Sequence, residues 1–216
     1  MNPSGSEAVL RRLSHYARCL RIAIDRNFDM VTSEYLAGPC GTTSASVRKD
    51  LSIFGEFGKR GSGYDTSALL REIEYVLGIS DPLQVILVGA GRIGRAILEG
   101  GIPGSCYRIV AAFDTDPDKT GEEIGGLTVA HESGMLVALK GITNFIGIIA
   151  VSPGSAQKAA DGLVRCGCRS ILVLNMEPVS VPDGVSLRRT EMPTELDLLA
   201  HDLQVKRISE NRNPGR

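Results

Sequence analysis

The hexapeptide Gly89-Ala90-Gly91-Arg92-Ile93-Gly94 limits the fold more than any other feature, because of what flanks it. Val85 to Val88 is an apolar run of strand length, and Arg92 to Leu98 reads as a helix. A G-x-G-x-x-G pattern by itself is weak. Between a buried strand and a helix, each glycine has a physical task. Gly89 allows a tight turn, Gly91 lets the backbone approach a pyrophosphate, and Gly94 lets the helix pack close to the strand. The helix start then offers unpaired N–H groups and a partial positive charge to phosphates.

A second feature is in register with the first. Asp114 follows the next predicted strand, Ile109 to Phe113, 20 residues after Gly94. A carboxylate there can accept hydrogen bonds from adenosine ribose hydroxyls, which favours NADH/NAD over the 2′-phosphorylated form. Asp116 adds to the negative field, and Lys119 is the nearest contrary charge. The bland reading is a tight turn plus a solvated acid, and the common register favours dinucleotide binding over it. Further along, Ile146 to Val151 and Ile171 to Leu174 read as strands around a helix from Ser155 to Arg165. Val129 is short and ambiguous. Strands alternating with helices imply an α/β, Rossmann-type parallel sheet. Thr194 to Glu210 reads as a helix striped by Leu196, Leu199, Leu203 and Val205.

The first third is different. Residues 8 to 26 form a predicted amphipathic helix, with Val9, Leu13, Tyr16, Leu20, Ala23 and Ile24 at three- and four-residue steps. Thr32 or Ser33 caps a short helix to Ala37, and Gly38-Pro39 stops it. Thr42 or Thr43 caps a third helix from Ser44 to Phe54, ended by Gly55. Three short helices with a tight turn before the third make a helix-turn-helix. The stretch Gly55 to Tyr64 holds four glycines and suits a hairpin, or wing, with Lys59 and Arg60 at its tip. A helix over 66 to 77 and a linker at Ser80-Asp81-Pro82 follow. The expected domains are therefore 1–80, 81–190 and a C-terminal helix and tail, 191–216. Ser44, Ser46, Arg48 and Lys49 are the third-helix groups able to reach a DNA groove, with Lys59 and Arg60 for the backbone. Four cations against Asp50 and Glu56 is a small excess. By charge alone a solvated helix face and loop is the better reading.

The formal net charge of −1 excludes polyanion binding by bulk electrostatics. Five cysteines without a C-x-x-C pair give neither a zinc motif nor a secreted disulfide frame. No apolar run reaches the ~18 residues of a membrane span. A cytoplasmic protein without membrane contact is expected. His15, His131 and His201 stand in no recognisable catalytic pattern, so neither a catalytic residue nor a metal site is expected.

The run Val47-Arg48-Lys49-Asp50-Leu51-Ser52, then Phe54-Gly55-Glu56-Phe57-Gly58-Lys59-Arg60-Gly61 and Gly63-Tyr64, resembles the redox-sensing repressors of the Rex family. So do Val88-Gly89-Ala90-Gly91, Ala111-Ala112-Phe113-Asp114, Asp116-Pro117 and Ile124-Gly125-Gly126. The likeness runs from about Leu10 to Leu203. It implies a homodimer with an N-terminal winged helix, a Rossmann domain and a C-terminal helix swapped between subunits. It implies binding to inverted-repeat operator DNA, with release by NADH. It also implies a nicotinamide-side contact at Val151 and an interdomain ion pair between Arg18 and Glu191. The chain departs from the family at Asn175-Met176-Glu177-Pro178, at Ala150-Val151-Ser152, at Glu191 and near Gly100, where a customary tyrosine is missing. These positions surround the nicotinamide in the family, so discrimination between NADH and NAD is expected to differ. The rival readings are a regulator sensing a CoA-type nucleotide, an NAD-dependent oxidoreductase, and a thiol sensor using Cys166 and Cys168.

Overall fold

The computed structural model describes residues 5–55, 63–102, 106–190 and 192–212, with side chains in the last helix as far as residue 205. The chain forms two compact units that divide between Pro82 and Leu83.

The first unit is mainly helical. Helix α1 (Glu7–Asp25) buries Val9, Leu13, Tyr16, Ala17, Leu20 and Ala23, the stripe expected from a 3.6-residue period. Strand β1 (Met30–Val31) leads into α2 (Ser33–Ala37), and α3 (Ser44–Ser52) follows after a turn. Each short helix has a side-chain cap. The Thr32 hydroxyl accepts the Tyr35 N–H, and Thr43 accepts that of Ser46. Strand β2 (Tyr64–Asp65) pairs antiparallel with β1, and α4 (Thr66–Leu77) closes the unit under an Asp65 cap. Helix α3 stops at Ser52 and not at Phe54. Its last N–H groups, on Ile53 and Phe54, bond three residues back instead of four, which tightens the end out of the α-helix. Residues 56–62, which include Lys59 and Arg60, lie outside the described residues.

The second unit is a sheet of seven strands. Strands β3 (Leu83–Val88), β4 (Tyr107–Asp114), β6 (Leu127–His131), β7 (Phe145–Ile149), β8 (Ser170–Val173) and β9 (Ser186–Arg189) are parallel. The two-residue β5 (Glu123–Ile124) pairs antiparallel with β6. The order is β5-β6-β4-β3-β7-β8-β9, so the direction of winding reverses between β3 and β7. Helices α5 (Arg92–Gly100), α6 (Met135–Ala138) and α7 (Ala156–Arg165) make the crossovers, and α8 (Met192–Arg212) ends the chain. Val85 and Leu87 enter one core, and Ile86 and Val88 the other. Burial on both faces is why β3 is apolar from Val85 to Val88.

Three expectations need correction. Val129 belongs to a five-residue strand, because pairing to β4 makes up for its short apolar run. Strand β7 ends at Ile149, so Ala150 and Val151 stand in the loop beyond it. Strand β9 was not expected: its sequence, Ser186-Leu187-Arg188-Arg189, carries one apolar residue and sits at the sheet edge, where charge is tolerated.

Among the described residues no helix is long and apolar enough to cross a membrane. Helix α8 carries Leu196, Leu199 and Leu203 at 57%, 58% and 64% exposure in the single chain.

One buried charge holds the first unit together. Asp50 on α3 is only 3% exposed. Arg12 on α1 donates to both its oxygens at 2.6 and 2.7 Å, and the Tyr16 hydroxyl donates at 2.9 Å. The Arg12 hydrogen bonds outweigh burial and hold the Asp50 carboxyl below the usual carboxylate range. A depressed folded-state value means that this stabilisation is complete above the unfolded value of about 4 and is lost as pH falls through the lower folded value. Asp50→Asn is expected to destabilise the chain by about 2–3 kcal/mol at pH 7, less than a fully buried pair because Arg12 is partly exposed. The gap to wild type should narrow below pH 4, measured by urea unfolding at both pH values.

Candidate functional site

The second unit has a cleft of about 360 Å³ at the carboxyl ends of β3, β4 and β7, beside the reversal of winding. That is where ligands bind in open α/β sheets. The glycine-rich loop forms its floor. Gly89 has φ +103°, and a Cβ there would lie 2.5 Å from the Ala150 carbonyl oxygen and 2.9 Å from the Val151 nitrogen. A Cβ on Gly94 would collide with the Gly89 carbonyl. These two glycines are dictated by the protein's own packing. Gly91 is not, since a Cβ there would meet nothing within 4 Å. It lines the cleft and stands at the start of α5 without a side-chain cap, so the first N–H groups of the helix remain available to an anion. The residues present therefore fit a diphosphate.

Asp114 lies at the carboxyl end of β4, 7% exposed. The Ala90 N–H donates to its Oδ2 at 2.7 Å and the Asp116 N–H to its Oδ1 at 2.9 Å. Burial pushes this carboxyl up, but the two N–H groups and the nearby Lys119 charge outweigh it and keep it below the usual range. The acid thus fixes the glycine-rich loop as well as facing the cleft. Lys119 Nζ lies 3.4 Å from Asp114 and 3.3 Å from Asp116, so it offsets part of their negative field. On the opposite wall Lys158 of α7 stands 3.5 Å from Glu132. Of the residues expected from sequence, Gly89, Gly91, Asp114, Asp116 and Val151 line this cleft. Ala90 is buried beneath it, Gly94 packs behind it, and Arg92 and Ile93 are exposed on α5 outside its lining. Lys119, Glu132, Ser152, Ser155 and Lys158 complete the wall. Of these, the sequence marked Lys119, as the charge nearest Asp114 and Asp116, and Ser152, through the family resemblance.

The first unit presents α3. Val47, Asp50 and Leu51 face the core, which leaves Ala45, Arg48, Lys49 and Ser52 on one exposed face. Asp50 does not count against the cations there, because Arg12 neutralises it inside. Arg48 leans back onto α2, donating to the Ser33 hydroxyl at 2.9 Å, with Glu34 at 3.8 Å. Lys49 is exposed. Ser44 and Ser46 are half-buried, and the Ser46 hydroxyl is bonded to Thr43 at 2.9 Å. Arg18 is exposed on α1, and Glu191 lies outside the described residues. Burial pushes the thiols of Cys166 and Cys168 up, which weakens their claim as sensors. Among the described residues no three His, Cys, Asp or Glu are grouped to hold a metal.

Because Gly91 has open space and Gly89 has none, the two should respond differently. Gly91→Val is expected to melt within a few degrees of wild type yet lose at least tenfold in dinucleotide affinity by calorimetric titration. Gly89→Ala should lower both stability and affinity, since its Cβ meets backbone that cannot yield.

Comparison with known proteins extends this geometry to a family. Residues 6–52 match the family model described as "Putative DNA-binding protein N-terminus", and residues 80–176 match the one described as "CoA binding domain". The redox-sensing transcriptional repressor Rex of Chloroflexus aurantiacus is 43% identical over 186 residues, covering 84% of this chain and 86% of that protein. Rex of Streptomyces avermitilis is 37% identical over 201 residues, covering 93% of this chain and 80% of its own. Two solved structures of RSP are similar in fold. The one in complex with β-NADH has a TM-score of 0.83 at 26% identity, covering 97% of this chain and 98% of that one. The one with β-NAD+ and operator DNA has a TM-score of 0.83 at 28% identity, covering 98% of each. With this identity over most of both chains, the chain belongs to the family of redox-sensing transcriptional repressors called Rex.

Proposed function

We propose that the chain is a DNA-binding transcriptional repressor that senses the NADH/NAD balance and leaves its operator when NADH binds. The observation that carries this reading is the cleft: open space over Gly91, a free helix start, and a buried acid at the end of β4. In it the N–H groups at the start of α5 would hold the pyrophosphate, and Asp114, with Asp116 beside it, would take the adenosine ribose. The loop at Val151 would face the nicotinamide. The family membership supplies the other half, since the RSP structure cited above is a complex with operator DNA.

Helix α3 would enter the major groove with Arg48 and Lys49, helped by Ser44 and Ser46. The segment with Lys59 and Arg60 would reach the backbone. A palindromic site calls for two subunits, and the exposed leucines of α8 are suited to a partner in a homodimer. The Arg18–Glu191 pair is assigned to coupling between the domains. Such a protein works in the cytoplasm, where DNA and the nucleotide pool meet.

NADH acts only through its different affinity for the DNA-bound and released dimers. A coupling of about 1–3 kcal/mol would change operator affinity by roughly 5- to 150-fold. A second reading, a regulator that senses a CoA-type nucleotide, draws on the family model matched by residues 80–176. The relatives are named as transcriptional repressors, so an oxidoreductase is not the reading.

Gel shifts on an inverted-repeat operator test the choice. NADH should release DNA at lower concentration than NAD+, and NADPH and CoA should leave it bound; release by CoA alone would favour the second reading. Lys49→Ala should weaken operator binding and reduce the slope of log affinity against log salt by about one.

A further inference from the structure

The dinucleotide reading leaves one polar group unexplained, the carboxylate of Glu177. It stands in the loop after β8, in the half of the sheet beyond the winding reversal. Its Oε1 accepts the Gly154 N–H at 2.7 Å, and its Oε2 accepts the Ala156 N–H at 3.3 Å, at the first residue of α7. The loop that carries it is pinned. Asn175 donates to the Val151 carbonyl at 3.2 Å, and the Glu177 N–H donates back to Asn175 at 3.1 Å. Further on, Gln157 and Ser180 exchange two hydrogen bonds of 3.0 and 2.9 Å. Ser152, just before the Glu177 contacts, and Ser155, between them, line the cleft. A negative charge therefore stands behind the loop that carries Ser152 and Ser155, next to the cleft's lining and not in it. Among the described residues no lysine, arginine or histidine is paired with it, and Lys158 on the same helix faces Glu132.

A dinucleotide lies across the winding reversal with one nucleotide on each half of the sheet. If Asp114 marks the adenosine half, the nicotinamide rests over β7 and β8, beside Glu177. The two redox forms differ there by one positive charge. An apolar pocket favours the neutral, reduced ring, because burying the cation costs hydration. A neighbouring carboxylate acts the other way, since N–H groups carry only partial charge and leave it net negative. We infer that Glu177 is a specificity-determining residue that shifts the cleft's preference from reduced toward oxidised nicotinamide, setting the redox poise at which the repressor responds. This inference rests on the dinucleotide reading above.

Calorimetric titration of the full-length chain with NADH, NAD+ and ADP-ribose tests it. In Glu177→Gln the ratio of NADH to NAD+ affinity should rise about three- to tenfold, while ADP-ribose affinity stays within twofold of wild type. Glu177→Asp keeps the charge but shortens its reach, and should stay close to the wild-type ratio. In the wild-type chain the ratio should also rise between 50 mM and 500 mM salt, a measurement that needs no variant. An unchanged ratio in Glu177→Gln with ADP-ribose still bound, or an equal rise in Glu177→Asp, overturns the inference. Failure of the wild-type chain to bind ADP-ribose and both dinucleotides overturns the dinucleotide reading itself.

Discussion

Backbone meets backbone where the turn after β3 reaches the loop after β7, and the architecture of the cleft follows from that contact. The turn at Gly89 lies against the loop after β7, and the first turn of α5 lies against Gly89. Neither contact leaves room for a side chain. Together they bring the carboxyl ends of β3 and β7 and the start of α5 into one place, which is where a sheet wound in both directions opens its crevice. The Asp114 carboxylate then holds the loop through the Ala90 N–H, so the second strand of the sheet braces the turn after the first. The floor of the cleft is built from main-chain groups in fixed positions, which suits it to phosphates.

The parts legible from sequence were those in which local pattern and tertiary environment agree. The glycine pattern needed no knowledge of the sheet, because strand, turn and helix are consecutive. Helix α1 could be read from its stripe, and α4 from the apolar face of Leu69, Leu70, Ile73, Val76 and Leu77 and from Gly78 at its end. Strand β9 could not, because an edge strand is held by hydrogen bonds to one neighbour and needs little apolar surface. Val129 was ambiguous for a related reason: it is fully buried, but its strand depends on pairing with β4, remote in sequence, and on hydrogen bonds to Gly121 and Glu122 that no apolar pattern marks.

The site divides in the same way. Asp114 was found from spacing along one βαβ unit. Glu132, Ser155 and Lys158 reach the cleft from loops and a helix far along the chain, and their residue types are ordinary on a surface. Asp50 was counted as a surface charge opposing the cations of α3, when it is an interior group satisfied from α1. That error has a physical origin. An acid directly after two cations looks solvated in one dimension, and only the packing of α3 on α1 turns it inward.

The Asp50 cluster has a consequence for how this chain can change over generations. Positions 12, 16 and 50 share a single buried charge, so they form one mutational unit spanning two helices. A drift at position 50 toward a neutral residue strands a guanidinium, and a drift at position 12 strands a carboxylate. An intermediate with only one partner replaced is penalised whichever comes first. The exposed positions of α3 opposite the cluster, Ala45 and Lys49 among them, share no buried partner, and they can vary one at a time without disturbing the helix that presents them.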